Sequence, residues 1–336
     1  MMTLKKLTAF VILGLSLTGG AAHAEFKERS MKLSHPMSKS DPIGTAANKF
    51  IEVANEKTQG KFKIKEYSDA QLGNEIQSIS STQGGVIDIA VVSTAGIGGI
   101  VKEFGIFDLP FLFNSIEEGD ALVDGDVGKE LLQKLESKNL VGLCYWDYGF
   151  RQVTNSKHPI KKLEDFQGLK IRTLQNRLYI DTFKALGANP LPLPYPETFT
   201  ALESKAIDGQ ESSYVVTKTS GFHEAQKYVT ETNHVYLPAI VMTNKRLWDR
   251  FSDEEKQVFY EACQEGQAIH REVSRDMSKK VEQELVDAGL QLDRFDDAEK
   301  QRLIEATASV TEKYKEEIGK ELVEKAYSTI EKIRNQ

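Results

Sequence analysis

Two stretches of this chain, more than a hundred residues apart, run through the same order of patterns, and that order limits what the chain can fold into. In the first, Phe62, Ile64 and Glu66 alternate with lysines across Lys61–Tyr67, Glu75–Gln83 has helical spacing, and Val86-Ile87-Asp88 leads an apolar run. In the second, Leu169–Leu174 alternates, Thr198–Ser204 has helical spacing, and Ala206-Ile207-Asp208 leads a strand-like run. Both end in paired hydroxyls, Ser93-Thr94 and Ser212-Ser213. Period-2 alternation marks strands, and strands interleaved with helices build α/β sheets. Two such units in a chain of 336 residues predict two similar α/β lobes facing each other across a cleft.

Other elements follow from the same periodicities. Met31–His35 reads as a first strand, and Ile43–Thr58 as a helix with Ala47, Phe50, Ile51 and Ala54 on one face. Val86–Val92 is an apolar run interrupted only by Asp88 and suits a buried parallel strand. Strands are expected around Leu140–Trp146, and the last third is helical. Ser252-Asp253-Glu254-Glu255 is a capping box, and helical spacing then continues to Ala288, where Gly289 supplies a stop. At 1.5 Å per residue that rod is on the order of 50 Å long, enough to bridge both lobes, with Gly266 as a point where it can kink. Helices Asp297–Glu316 and Lys320–Arg334 follow. The expected division puts residues 25–148 with about 237–277 in lobe I, and residues 149–236 with about 278–336 in lobe II.

The N-terminus is a separate matter. Lys5 and Lys6 precede an apolar core of eleven residues, Leu7–Leu17, and Ala22-His23-Ala24 is a small-residue cleavage site. The core is too short to span a bilayer, so residues 1–24 read as a secretory signal cut after Ala24, which places the mature chain in the periplasm. Losing the two lysines takes the formal net charge from −7 to −9, which argues against a nucleic-acid partner. Cys144 lies in an apolar strand-like run and Cys263 in a helical one, so two buried thiols are expected rather than a disulfide or a metal pair.

The candidate site begins at Gly168–Asn176, GLKIRTLQN. Alternation there puts Arg172 on one pleated face near the end of a strand, and Asn176 opens a helical run, Arg177–Leu186. Open α/β sheets present ligands at the carboxyl ends of their strands, and a planar guanidinium there can grip a carboxylate with two parallel hydrogen bonds. Tyr145, Trp146, Tyr148 and Phe150 form an aromatic cluster ending at Arg151; Asp147-Tyr148-Gly149 is turn-like, a crossing point between lobes with Arg151 at the cleft mouth. Leu191–Pro196, with three prolines in six residues, is a stiff extended segment that fixes Tyr195. His35, beside a proline at a strand end, is a further candidate donor. The loop Gly96-Ile97-Gly98-Gly99-Ile100-Val101 lacks the third glycine of a dinucleotide fingerprint, and no nucleophile–base pair or metal motif stands out. No cofactor is expected.

The stretches QLGNE (Gln71–Glu75), GFRQVTNSKHPI (Gly149–Ile160), GLKIRTLQN, FKALGANPLPLPY (Phe183–Tyr195), AIDGQE (Ala206–Glu211) and NHVYLP (Asn233–Pro238) together resemble the extracytoplasmic solute-binding proteins of tripartite ATP-independent periplasmic (TRAP) transporters. The resemblance covers essentially the whole mature chain. It implies a flytrap fold, two α/β lobes joined by crossing strands and a long helix, which closes on an organic acid and hands it to a membrane permease. It puts the bidentate carboxylate grip on Arg172, with Arg151 assisting and Tyr195 lining the cleft. The family's usual Asn after DGQE is Ser212 here, which leaves one amide contact open. Ser93 stands where sialic-acid binders carry Glu, so that ligand is not implied.

The reading is a periplasmic organic-acid receptor acting as a monomer. Arg172 binds one carboxylate, Arg151 the same or a second, and Asn176, Ser93, Ser212, Tyr148, Tyr195 and Tyr236 are candidates for ligand hydroxyls. So many hydroxyl and amide groups favour a sugar acid such as a uronate over a C4-dicarboxylate. The alternatives are an extracytoplasmic enzyme with Glu75 or Glu211 as general base, and a ligand-loaded partner for a membrane sensor.

Overall fold

The computed structural model describes residues 26–335, so the expected signal sequence and its cleavage point lie outside the described residues. The first half of the chain forms β1 (Arg29–Ser34), α1 (Pro42–Lys57), β2 (Phe62–Tyr67), α2 (Glu75–Gly84), β3 (Ile89–Ser93), α3 (Thr94–Ile97), α4 (Ile116–Asp124), α5 (Asp126–Lys134) and β4 (Leu140–Phe150). The second half adds β5 (Gln152–Asn155), β6 (Lys170–Thr173), α6 (Arg177–Ala185), β7 (Asn189–Pro192), α7 (Thr198–Glu203), β8 (Gly209–Ser212), α8 (Tyr214–Thr219), β9 (Tyr228–Glu231), β10 (Tyr236–Asn244), α9 (Lys245–Trp248), α10 (Asp253–Asp287), β11 (Gln291–Arg294), α11 (Asp297–Ile318) and α12 (Lys320–Arg334). They build two sheets, ordered β2-β1-β3-β10-β4 and β11-β9-β5-β8-β6-β7.

The internal echo is a real repeat, with one strand reassigned. β1 lies between β2 and β3 and is parallel to both, and β6 lies between β7 and β8 in the same way. β2 therefore corresponds to β7, and the alternating stretch around Arg172 to β1. The two Ile-Asp pairs do one job: Asp88 Oδ2 accepts from Lys32 N and Asp208 Oδ2 from Lys170 N, each at 2.9 Å, pinning the central strand. The hydroxyls at the strand ends cap the helices that follow, Ser93 Oγ taking Gly96 N and Ser213 Oγ taking Val216 N. Periodicity hid β7 because Pro190 and Pro192 interrupt it. They are tolerated because β7 is an edge strand with no outer ladder to complete.

Three further expectations change. β3 starts only at Ile89, since Val86 is 64% exposed and the Asp88 side chain is committed to Lys32 N of β1. β4 runs straight through Asp147-Tyr148-Gly149, and the expected turn is instead a bulge, with Gly149 at φ +79° and a register shift against Leu237/Pro238. Cys144 and Cys263 form a disulfide with their Cα atoms 6.0 Å apart, because α10 lies directly over β4. Strand-like and helical surroundings for the two cysteines were no bar to pairing once the elements packed.

The crossing between lobes is short. Arg151 alone separates β4 of the first sheet from β5 of the second, and its N–H donates to Val235 O on the returning segment at 2.9 Å. α10, 35 residues long, opens with the expected Ser252–Glu255 capping box. Its Val258, Phe259 and Ala262 share the first lobe's core with Phe50 and Phe62, while Val281 and Leu285 pack with Val229 of the second sheet. The helix continues through Gly266, whose role is close approach: a Cβ there would stand 2.7 Å from Trp146 Cζ2. At the far end, Val323, Ala326 and Ile330 of α12 join the core formed by Leu122 and Val123 of α4.

Candidate functional site

The carboxyl ends of β1, β3, β6, β7 and β8 point toward one cavity of about 730 Å³, part of it continuous with bulk solvent. Its wall takes Pro36 and Met37 beyond β1, Ser93 at the end of β3, Leu174 beyond β6, Leu193 beyond β7 and Ser212 at the end of β8. Such a convergence follows from parallel strands whose connections all leave from one edge.

Alternation in β6 sends Ile171 into the second lobe's core and Arg172 into this cavity. Arg172 is 2% exposed. Its Nε and Nη2 donate to Leu193 O at 3.0 and 2.7 Å. That carbonyl is held between Pro192 and Pro194, so the stiff segment orients the guanidinium from behind. Among the described residues no carboxylate comes within 4.0 Å of it. Burial pulls its pKa down to about 10, with Glu211 and Glu75 opposing the fall and Arg151 adding to it. With Nε and one Nη2 proton committed to Leu193, Nη1 and the other Nη2 proton remain as a parallel pair of donors, the geometry that suits a carboxylate.

Arg151 has its counter-charge already. Its Nε donates to Glu211 Oε2 and its Nη2 to Glu211 O, and both side chains are buried. The guanidinium also lies 5.7 Å from the Tyr179 ring centroid. Burial alone would lower the Arg151 pKa, but Glu211 and Tyr179 outweigh it and raise it. Glu211 in turn is held low by Arg151 and His234 against the effect of burial, and His234 Nε2 stands 3.3 Å from its Oε2. Burial keeps His234 itself shifted toward the neutral form.

Around these cations lie the remaining expected residues. Glu75, the first residue of α2, takes Ser93 N on Oε1 and Ser93 Oγ on Oε2, the latter at 2.8 Å, and burial raises its pKa. The Tyr148 hydroxyl is buried with no partner. The Tyr195 hydroxyl meets Ser220 Oγ at 2.5 Å, and Ser212 Oγ meets Thr217 Oγ1 at 3.1 Å. Asn176 lines the cavity, yet both its donors are used: Nδ2 donates to Ala95 O and Asp108 Oδ2, both at 2.9 Å, while Oδ1 caps α6 at Leu178 N. It is a tether between α6 and the first lobe.

Two expected residues stand outside the cavity. Tyr236 packs with Phe113 and Phe150 in the first lobe's core, its hydroxyl 3.3 Å from Asp120 Oδ1. His35 is buried behind Pro36 with Nε2 3.0 Å from Glu66 Oε1. Conversely, sequence reasoning missed the Leu193 carbonyl and the tethering carboxyl of Asp108. A backbone group leaves no trace in composition, and Asp108 ends an apolar 3₁₀ stretch, Lys102–Asp108, with no motif around it.

Among the described residues no group of His, Cys, Asp and Glu side chains is placed to hold a metal ion, and no helix is long and apolar enough to cross a membrane. The structure superposes on the sugar acid binding protein of Advenella mimigardefordensis strain DPN7T, crystallised with galactonate, with a TM-score of 0.89 and 40% identity over 91% of this chain and 99% of that one. A TRAP periplasmic solute-binding protein of Shewanella oneidensis, with bound succinate, gives a TM-score of 0.87 at 29% identity over 90% of this chain and 99% of that one. The 2,3-diketo-L-gulonate-binding periplasmic protein of Escherichia coli (strain K12) is 36% identical over 264 residues, 79% of this chain and 80% of that protein. Residues 33–317 match the family described as bacterial extracellular solute-binding protein, family 7, and the chain belongs to that family.

Proposed function

We propose that this protein captures an organic acid, favouring a polyhydroxylated sugar acid such as a uronate, and delivers it to the membrane permease of a TRAP transporter. The observation that carries this reading is Arg172, a buried guanidinium in the cavity wall that keeps a parallel pair of donors uncommitted and has no carboxylate of its own. A cation so placed loses most of its hydration, and a ligand carboxylate is the partner that offsets the loss. Arg151, Glu75, Tyr148, Ser212 and Tyr195 supply the polar wall, and of these Tyr148 has a buried hydroxyl with no hydrogen-bond partner among the described residues. Relatives named for or crystallised with sugar acids support the favoured class.

In this reading the protein works in the periplasm after removal of residues 1–24, as a single copy, and binds its acid without transforming it. Residues 25–148 with about 237–277, and 149–236 with about 278–336, act as the two lobes, closing about the crossing at Arg151, except that α12 stays with the first lobe through its packing against α4. A C4-dicarboxylate is the second reading, supported by the bound succinate of the Shewanella protein. A thermal-shift screen of uronates, aldonates, C4-dicarboxylates and keto acids tests both. The true ligand raises Tm in a concentration-dependent way by mass action and is recovered chemically unchanged. A screen in which no carboxylate of any class shifts Tm would sink the proposal.

A further inference from the structure

Apart from two tyrosines and Asp108, four ionisable side chains stand in or directly behind the cavity wall: Arg172, Arg151, Glu211 and Glu75. Arg151 and Glu211 cancel within one buried ion pair. That leaves one cation, Arg172, and one acid, Glu75, facing the ligand space, with no lysine or histidine in the wall to add positive charge. Tyr148 and Tyr195 stay neutral, since burial raises both phenols. Asp108, behind Asn176, adds no positive charge either. Much of the remaining wall is apolar, including Met37, Ile76, Leu193, Pro194, Phe222 and Leu237.

We infer that this cavity takes one carboxylate and rejects a second, and that Glu75 is the specificity-determining residue that sets the limit. The inference rests on the reading of Arg172 as the carboxylate grip and narrows its ligand class to monocarboxylic polyhydroxy acids. Once a carboxylate sits on Arg172, the free cation is used up. A second carboxylate on the same molecule would find no uncommitted cation in the wall, and in a weakly polar enclosure that already holds the Glu75 carboxyl a further negative charge is strongly disfavoured. A hydroxyl in that place does the opposite. Each Glu75 oxygen already accepts one bond from Ser93 and has a second lone pair free, so it can take a proton donor from the ligand. Aldonates and uronates present such a donor at the end remote from the carboxylate, whereas aldarates and C4-dicarboxylates present a second anion.

The test is isothermal titration at pH 7.5 with matched pairs, galactonate against galactarate and glucuronate against glucarate, together with succinate and malate. Wild type should prefer the monocarboxylate of a pair by roughly 100-fold or more. Glu75→Gln keeps the shape and a contact to Ser93 while removing the charge, and should narrow that preference at least roughly tenfold. Glu75→Asp, which keeps the charge, should retain the exclusion and serves as the reference if the glutamine variant folds poorly. Equal affinity for both members of a pair in wild type, or an unchanged ratio in Glu75→Gln, overturns the assignment of Glu75. Arg172→Ala separates the two readings. If it abolishes binding while wild type shows no selectivity, only the Glu75 limit falls. If it binds acids as well as wild type does, or if no acid binds at all, the carboxylate grip falls and the limit with it.

Discussion

At Arg172 the molecule tolerates a buried cation that its own carboxylates do not neutralise, and two opposite effects of mutation result. Arg172→Ala should weaken binding of the cognate acid by about 2–5 kcal/mol, the range for a buried charge pair losing one partner, measured by titration calorimetry. Arg172→Lys should also lose affinity, because a point charge cannot reproduce the fork that Leu193 O holds in place. Stability without ligand should move the other way. Arg172→Met removes an uncompensated buried charge, so its apo Tm should equal or exceed that of wild type; a clear fall would show that the guanidinium is a structural strut. Asp41 makes a second residue-scale case. It is 2% exposed, caps α1 through Ile43 N and accepts from Thr219 Oγ1 at 3.1 Å. Burial pushes its carboxyl up to about 6, opposed by those two hydrogen bonds and aided by Asp147. The folded acid thus holds its proton more tightly than the unfolded chain, where aspartate titrates near 3.8. Its contribution to stability is complete below about 3.8, falls as pH rises toward about 6, and stays lost above that. Asp41→Asn should erase up to about 3 kcal/mol of that decline, visible as a Tm–pH profile that is flatter than wild type across this window.

Among the elements, β4 and α10 form the spine that both lobes share. The Cys144–Cys263 disulfide joins them, Trp146 Nε1 donates to Cys263 O at 3.3 Å, and Gly266 lets the indole approach the helix. A disulfide suits a family that works outside the cytoplasm, where thiols are not kept reduced. Replacing both cysteines by alanine, or adding reductant, should cost about 2–5 kcal/mol, read as a lower calorimetric Tm, because a long loop in the unfolded chain is released. Gly266→Ala should destabilise by about 1–3 kcal/mol through overpacking against Trp146, with little effect on ligand affinity since neither residue lines the cavity.

For the whole molecule, the proposed closing motion is tied to contacts that run from one lobe to the other. Asn176 reaches Ala95 O and Asp108, and Thr219 reaches Asp41. Asn176→Asp keeps an oxygen to cap α6 but replaces two donors by a carboxylate facing a carbonyl and an acid. It should disfavour closure and speed ligand release at least roughly tenfold in stopped-flow measurements, although Asn176 has no donor left for the ligand. Unchanged release would mean that the tether plays no part in holding the lobes together.

The features that this chain's sequence determined alone were local. The capping box at Ser252–Glu255, the face of α1, the alternation of β6 and the length of α10 were all legible, because each depends on hydrogen bonds or side-chain periodicity within a few residues. The repeat and the position of Arg172 at a strand end came from those local patterns. Only the tertiary structure decided the rest: that Arg172 leans on a carbonyl 21 residues away, that Arg151 is answered by Glu211 60 residues away, that Cys144 finds Cys263, and that Tyr236 turns into the core while Tyr148 faces the cavity. Those outcomes depend on which strands become neighbours and how far the bulge at Gly149 rotates the next residues of the strand. Periodicity records which side of an element is apolar, but not which other element will cover it.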